Sequence, residues 1–251
     1  MTMLTSTNRN DLQKIVVLNP KGGCGKTTLA TNIASYFASQ GSLPALLDCD
    51  PQGYSMRWIE RRPGSLPPVH GICAHKKTMQ AVPSWHLRVP QETTRLIIDT
   101  PAAVENPDLF DLTYDASNIL IPVMPSAIDI RYAARFIAEL LLVTRIDRRN
   151  RQLGVVATRT RKNTKSLAQL MRFLTSLRIP LIATIRDSQN FVYAAGNGIG
   201  IYEMPLHKVR DDIREFAPLV AWLESWQPAL PEITPLAKLR STETFLDKPL
   251  H

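Results

Sequence analysis

An apolar run, Ile15-Val16-Val17-Leu18, leads directly into Asn19-Pro20-Lys21-Gly22-Gly23-Cys24-Gly25-Lys26-Thr27-Thr28, and a helical pattern of apolar residues (Leu29, Ile33, Ala34, Phe37) follows. A buried strand that feeds a glycine-rich loop and then a helix is how a chain wraps a triphosphate. The glycines let backbone N–H groups turn toward phosphate oxygens, and the helix N-terminus adds its partial positive charge. Lys26 is placed to reach the β- and γ-phosphates, and the Thr27 hydroxyl to ligate Mg²⁺. The strict spacing G-x-x-x-x-G-K-[ST] fails at its first position, where Pro20 stands, and a second lysine, Lys21, precedes the double glycine. A flexible turn between a strand and a helix is the competing reading. Strand, loop, Gly25-Lys26-Thr27 and helix in unbroken order weigh against it.

Strands and helices alternate around this loop. Strands are expected over 14–19, 44–48, 95–99, 117–123, 152–158 and 181–185, with an edge strand near 69–73. Helices are expected over 26–39, 127–144, 165–177, 188–196 and 209–226. This alternation implies a doubly wound α/β fold, a mostly parallel sheet with helices on both faces and ligands beyond the carboxyl ends of its strands. Residues 1–12 read as a loose arm, 13–227 as the domain, and 228–251, with Pro228, Pro231 and Pro235, as an extension. Pro63, Pro67, Pro68, Pro83 and Pro90 break regular structure between 61 and 94. A hydrophobic content of 44% supplies a sizeable core. Apolar runs such as Ile137 to Val143 end too soon to span a bilayer, and the N-terminus lacks a signal-peptide core. Cys24, Cys49 and Cys73 fit no metal-ligand or disulfide spacing, which suits a reducing cytoplasm; Cys24 and Cys49, both in the site's signatures, are expected to be small buried residues rather than a redox switch.

Lys21-Gly-Gly-x-Gly-Lys26-Thr-Thr resembles the deviant Walker A motif of the ParA/MinD family of P-loop ATPases. Leu46-Leu47-Asp48-Cys49-Asp50-Pro51-Gln52-Gly53 is similar to that family's D-x-D-P-Q-G signature, and Leu96-Ile97-Ile98-Asp99-Thr100-Pro101-Ala102 to its Walker B strand. Similarity continues through Ile121-Pro122-Val123 to Ile185-Arg186-Asp187, roughly residues 13–226. The resemblance implies ATP and Mg²⁺ as ligands of the loop Lys21 to Thr28, and a Lys21 that crosses to the partner subunit's nucleotide. Asp99 would hold Mg²⁺ through water. Asp48 and Asp50, two apart on an extended segment, share one face. By resemblance Asp50 positions or activates the attacking water, and Asp48 is a Mg²⁺-shell or water-orienting carboxylate. Turn capping before Pro51 is the plainer alternative for both. Thr158-Arg159 and Arg186-Asp187 are candidate base contacts at the same sheet edge, and no guanine-reading N-K-x-D follows a late strand.

The implied activity is slow ATP hydrolysis within a cycle. ATP joins two copies, the homodimer binds duplex DNA without sequence preference, and a ParB-like or cargo-adaptor protein stimulates hydrolysis and release. The outcome is partition or positioning of a plasmid, a chromosomal element or a protein cluster in a cytoplasmic, nucleoid-associated setting. Thirty Lys and Arg against 22 Asp and Glu, a net charge of +8, suit a polyanionic partner. Lys208, Arg210 and Arg214 at near-helical spacing, with Arg186, form the candidate DNA face, and Arg159, Arg161, Lys162 and Lys165 the second patch. Arg145, Arg148, Arg149 and Arg151 form a further basic run. Ordinary solvated charge is the bland reading of each patch. The nearest branch is the short one without an N-terminal DNA-reading domain. A MinD-like membrane cycle would need a C-terminal amphipathic helix, which the mixed-charge tail from Ala237 does not offer. An iron–sulfur reductase would need cysteines after Asp99, a biosynthetic P-loop enzyme would lack Lys21 and D-x-D-P-Q-G, and a scaffold without turnover would lack the site's lysines and aspartates.

Overall fold

Successive residues of the first apolar run face opposite sides of a sheet. In the computed structural model, which describes residues 11–74, 89–102, 104, 106–113, 115–144, 152–161 and 164–228, Val16 and Leu18 pack into one core with Ile98, Ile121, Val155 and Ile137. Ile15 and Val17 pack into another with Ile97, Leu120, Leu29, Ile33 and Phe216. Two cores on the two sides of one strand are the signature of a doubly wound sheet.

The strands are β1 (Gln13–Val17), β2 (Ala45–Asp48), β3 (His70–Cys73), β4 (Arg95–Asp99), β5 (Asn118–Val123), β6 (Gln152–Thr160) and β7 (Leu181–Arg186). The helices are α1 (Lys26–Ser39), α2 (Tyr54–Glu60), α3 (Asn106–Thr113), α4 (Ala127–Thr144), α5 (Lys165–Leu177), α6 (Gln189–Gly196) and α7 (Leu206–Glu224), with a 3₁₀ turn at Ile201–Glu203. The sheet runs β3-β2-β4-β1-β5-β6-β7. Each neighbouring pair is parallel. The chain leaves β1 toward β2 on one side, then passes from β4 over β1 to β5. The switch point therefore lies between β1 and β5, where a ligand crevice opens beyond the strand ends.

Helices α4 and α5 span the expected residues. Thr164 caps the start of α5, its side chain accepting the Leu167 N–H. β1 is shorter than expected, because the Asn19 amide turns to the Pro122 carbonyl at 2.7 Å and leaves the strand path. α7 begins three residues before its expected start and passes through Pro218 to Glu224. α2 and α3 were not apparent in the sequence. Residues 1–10 of the arm, the extension from 229, the run 145–151 and Lys162 lie outside the described residues.

α2 is anchored from far along the chain. The Trp58 indole N–H donates to the Ile199 carbonyl at 3.1 Å, and the buried Arg62 guanidinium pairs with Glu203 and donates to the Gly198 carbonyl. Gly198 has φ +66°, and a Cβ there would lie 2.5 Å from the Arg61 carbonyl carbon and the Arg62 nitrogen. Gly198→Ala therefore adds left-handed strain to a backbone clash, and should destabilise by about 3 kcal/mol. A thermal melt should fall by roughly 6–12 °C; an unchanged melt would mean the loop and α2 separate without loss.

Candidate functional site

The loop between β1 and α1 closes through left-handed glycines, Gly23 at φ 75° and Gly25 at φ 97°. Its carbonyls are tied from inside. Thr158 Oγ1 donates to the Cys24 carbonyl at 2.8 Å, strapping the loop to β6. Lys26 Nζ donates to the Lys21 carbonyl at 3.1 Å, and the Cys24 thiol reaches the same oxygen. Asn19 Oδ1 accepts the Lys21 N–H at 2.9 Å. Burial raises the Cys24 thiol above its usual range and pushes Cys49 to about 12, so neither is a ready nucleophile.

A cavity of about 690 Å³ opens over this loop. Gly22, Gly23, Gly25, Lys26, Thr27 and Thr28 line it from the loop, with Thr31 from the next turn of α1. Asp50 and Gln52 follow from the turn after β2, Tyr54, Arg57 and Trp58 from α2, and Arg61 from the residue just after it. Ala102, Arg159, Ala195 and Gly196 complete the wall. Lys21 is absent from that wall. Its ammonium pairs instead with Asp129 in the first turn of α4.

Asp99 ends β4 beneath the loop at 1% exposure. Its Oδ2 accepts the hydroxyls of Thr27 and Ser55, each at 2.8 Å. Its Oδ1 is buried with no hydrogen-bond partner among the described residues. Burial pushes the carboxyl up to about 6, with the nearby Asp48 charge adding to the rise and the two hydroxyls and Lys26 opposing it. A buried carboxylate oxygen without a donor, beside a threonine hydroxyl, is the donor set a hard divalent cation takes, directly or through water. These residues fit Mg²⁺.

The two signature aspartates separate. Asp48 is buried, and its oxygens accept the N–H groups of Asp50 and Met56, both at 3.0 Å. It organises the turn and the start of α2 and is not on the cavity wall. Asp50 faces the cavity, while its Oδ1 also accepts the Gln52 N–H at 2.8 Å. It caps the turn and still presents a carboxylate to the crevice.

On the cavity wall, next to the Thr158 that straps the loop, Arg159 adopts φ +49° within an irregular stretch of β6 pairing, the kind of bulge that re-aims a side chain beside a site. Arg186 and Asp187 do not line the cavity. Arg186 pairs with Asp212 at 3.0 Å and Asp211 at 3.2 Å, and Arg214 pairs with Asp211 at 2.8 Å. Lys208 and Arg210 are exposed on α7, and Arg161 and Lys165 are exposed where β6 leads into α5. The DNA-face candidates thus divide into two cations held by carboxylates and two facing solvent. Among the described residues no helix is long and apolar enough to cross a membrane.

Sequence reasoning missed Ser55 on Asp99, Tyr54 and Arg57 of α2, Arg61 just after it, and Ala195 and Gly196. The arginines stand four apart directly after D-P-Q-G, a helical spacing that could have flagged one basic face. The Arg57 guanidinium lies over the Tyr54 ring at 4.8 Å.

The profile of the CobQ/CobB/MinD/ParA nucleotide binding domain, CbiA, matches residues 15–201. The chain is 25% identical over 194 residues to the maintenance of carboxysome distribution protein A of Halothiobacillus neapolitanus, covering 76% of this chain and 87% of that one. It is 30% identical over 155 residues to the protein of the same name from Gloeobacter kilaueensis, covering 58% and 69%. An ATP complex of a Cyanothece McdA variant superposes with a TM-score of 0.66 at 16% identity, over 88% of this chain and 99% of that one.

Proposed function

The chain belongs to the CobQ/CobB/MinD/ParA family of nucleotide-binding domains, and from that premise we propose that it is a ParA-type positioning ATPase. ATP joins two copies, the dimer holds duplex DNA of any sequence through its basic surface, and hydrolysis releases it. The cargo, a protein assembly or a DNA element, is carried by an adaptor protein that stimulates turnover, in a cytoplasmic, nucleoid-associated cycle. The observation that carries this reading is the division of labour between two lysines of one loop: Lys26 lines the cavity and Lys21 is drawn out of it.

In this reading the loop amides and Lys26 bind the β- and γ-phosphates. Thr27 and Asp99 would hold Mg²⁺, which when bound neutralises charge developing on the transferred group. Asp50 accepts a proton-side hydrogen bond from the attacking water and sets its line of approach. Asp48 keeps that segment in place through the Asp50 and Met56 amides. Arg159, Ala195 and Gly196 wall the end of the cavity available to the base. Relatives named for carboxysome distribution favour a protein cargo over a replicon.

The test is fluorescence anisotropy of labelled duplexes of unrelated sequence, titrated with ATP-loaded and ADP-loaded protein. ATP should tighten binding by at least tenfold for every sequence. Raising salt from about 50 to 200 mM should weaken it by about a hundredfold or more. Equal affinity in the two nucleotide states would leave only basic stickiness and overturn the switch.

A further inference from the structure

We infer that Asp129 is a positioning residue that holds Lys21 outside its own nucleotide cavity and so sets the ATP concentration at which two copies join. This rests on the dimer reading above. Two observations meet here. The Lys21 ammonium pairs with the Asp129 carboxylate, 108 residues away, although Gly22, Gly23, Gly25 and Lys26 of the same loop line the cavity. The Asp129 side chain is also prepared for that role, at only 8% exposure. Ser126 Oγ donates to its Oδ2, and the Asp129 N–H donates back to Ser126 Oγ at 3.1 Å. A carboxylate in the first turn of an 18-residue helix is further favoured by the helix dipole.

The backbone leaves Lys21 little choice of direction. Asn19 binds the Lys21 N–H with one end of its amide and the Pro122 carbonyl with the other, tying the loop to the end of β5. The side chain therefore spans the switch point from the β1 loop to the start of α4. Of the loop's two lysines, Lys26 is left to meet the protomer's own phosphates. A second polyphosphate presented from outside competes with Asp129 for Lys21. That end of α4 is open to such an approach, since Ile128 and Tyr132 beside Asp129 are 64% and 60% exposed. Each protomer must give up one partly buried ion pair to engage its partner, so the pair acts as a threshold.

The experiment is made on the full chain with Asp129→Asn. In nucleotide-free protein, Lys21 should label faster with an amine-reactive reagent, read by peptide mass spectrometry. In light scattering with ATP, the half-maximal concentration for dimer formation should fall by about fivefold, the worth of a half-exposed ion pair. Asp129→Glu, which keeps the charge, should restore both readings toward the wild type. If Asp129→Asn does not fold, Ser126→Ala removes the hydroxyl that orients the carboxylate and should move both readings in the same direction. Faster labelling with an unchanged dimer threshold overturns the inference, as does unchanged labelling. A wild-type protein that forms no dimer at any ATP concentration defeats the dimer reading itself, and the labelling result then stands apart from it.

Discussion

Lys21→Ala is expected to abolish the proposed ATP-dependent dimer, and the proposed retention on DNA with it, while the protomer keeps its affinity for nucleotide. The cis site should survive because the Lys21 side chain lies off the cavity wall, whereas its carbonyl, which alanine retains, is what Lys26 and Cys24 bind. Asp129 loses its cation but keeps the Ser126 hydroxyl and its place in the first turn of α4, so folding should suffer little. The dimer has no such reserve. Two-fold symmetry repeats the contact, and each lysine–phosphate contact is worth about 2 kcal/mol or more, so association should weaken by roughly a thousandfold. Light scattering at saturating ATP, paired with a nucleotide titration, separates the two effects. Nucleotide affinity should stay within about twofold, since the cations on the cavity wall, Lys26 first among them, are untouched. A variant that still dimerises at ordinary ATP concentrations would remove Lys21 from the intersubunit contact.

What the sequence made legible and what it hid follow from how far each interaction reaches along the chain. The strands around the site could be read because each is an apolar run that stops at a signature, as Leu46-Leu47 does at Asp48 and Ile97-Ile98 at Asp99. α4 and α5 were legible because several turns of 3.6-residue periodicity accumulate over 18 and 13 residues. α2 and α3, at 7 and 8 residues, give only about two turns of pattern. α2 also owes its place to Ile199, Gly198 and Glu203, more than 130 residues on. The same distance hid Asp129, since nothing near Lys21 in sequence announces a carboxylate on α4. The Asp48-Cys49-Asp50 pair was ambiguous for another reason. Two aspartates on one face allow both metal ligation and turn capping, and only the amides at 3.0 Å show Asp48 spent on the turn. Charge patterning was the weakest guide: Lys208, Arg210 and Arg214 share a spacing, yet Asp211 between them holds Arg214 and helps hold Arg186.

Asp99→Asn is expected to act with opposite signs on the apo protein and on the nucleotide complex. Asp99 is buried to 1% exposure, with one oxygen unpartnered and its carboxyl pushed up to about 6 from the usual 3.8. A carboxyl whose folded value is raised favours the folded state only while protonated. The penalty for its charge therefore grows as pH rises from about 4 to about 6 and is constant above. At neutral pH it amounts to as much as about 3 kcal/mol. Asparagine removes that penalty, and its amide oxygen can still accept the Thr27 and Ser55 hydroxyls, but its NH2 group, at the buried Oδ1 position, gives back part of the gain. The apo variant should melt a few degrees above the wild type at pH 7, with the difference shrinking toward pH 4. With ATP and Mg²⁺ the order should invert. The wild type gains stability through ligand linkage, whereas the variant has lost the oxygen proposed to hold the metal and should bind Mg²⁺–ATP at least about tenfold more weakly. An apo variant that melts lower at pH 7 would show that the buried charge is not penalised. An ATP-induced shift with undiminished Mg²⁺ dependence would remove Asp99 from the metal site, because a crossing of the two melting curves requires one carboxylate to be both a burden to the empty fold and a ligand in the filled one.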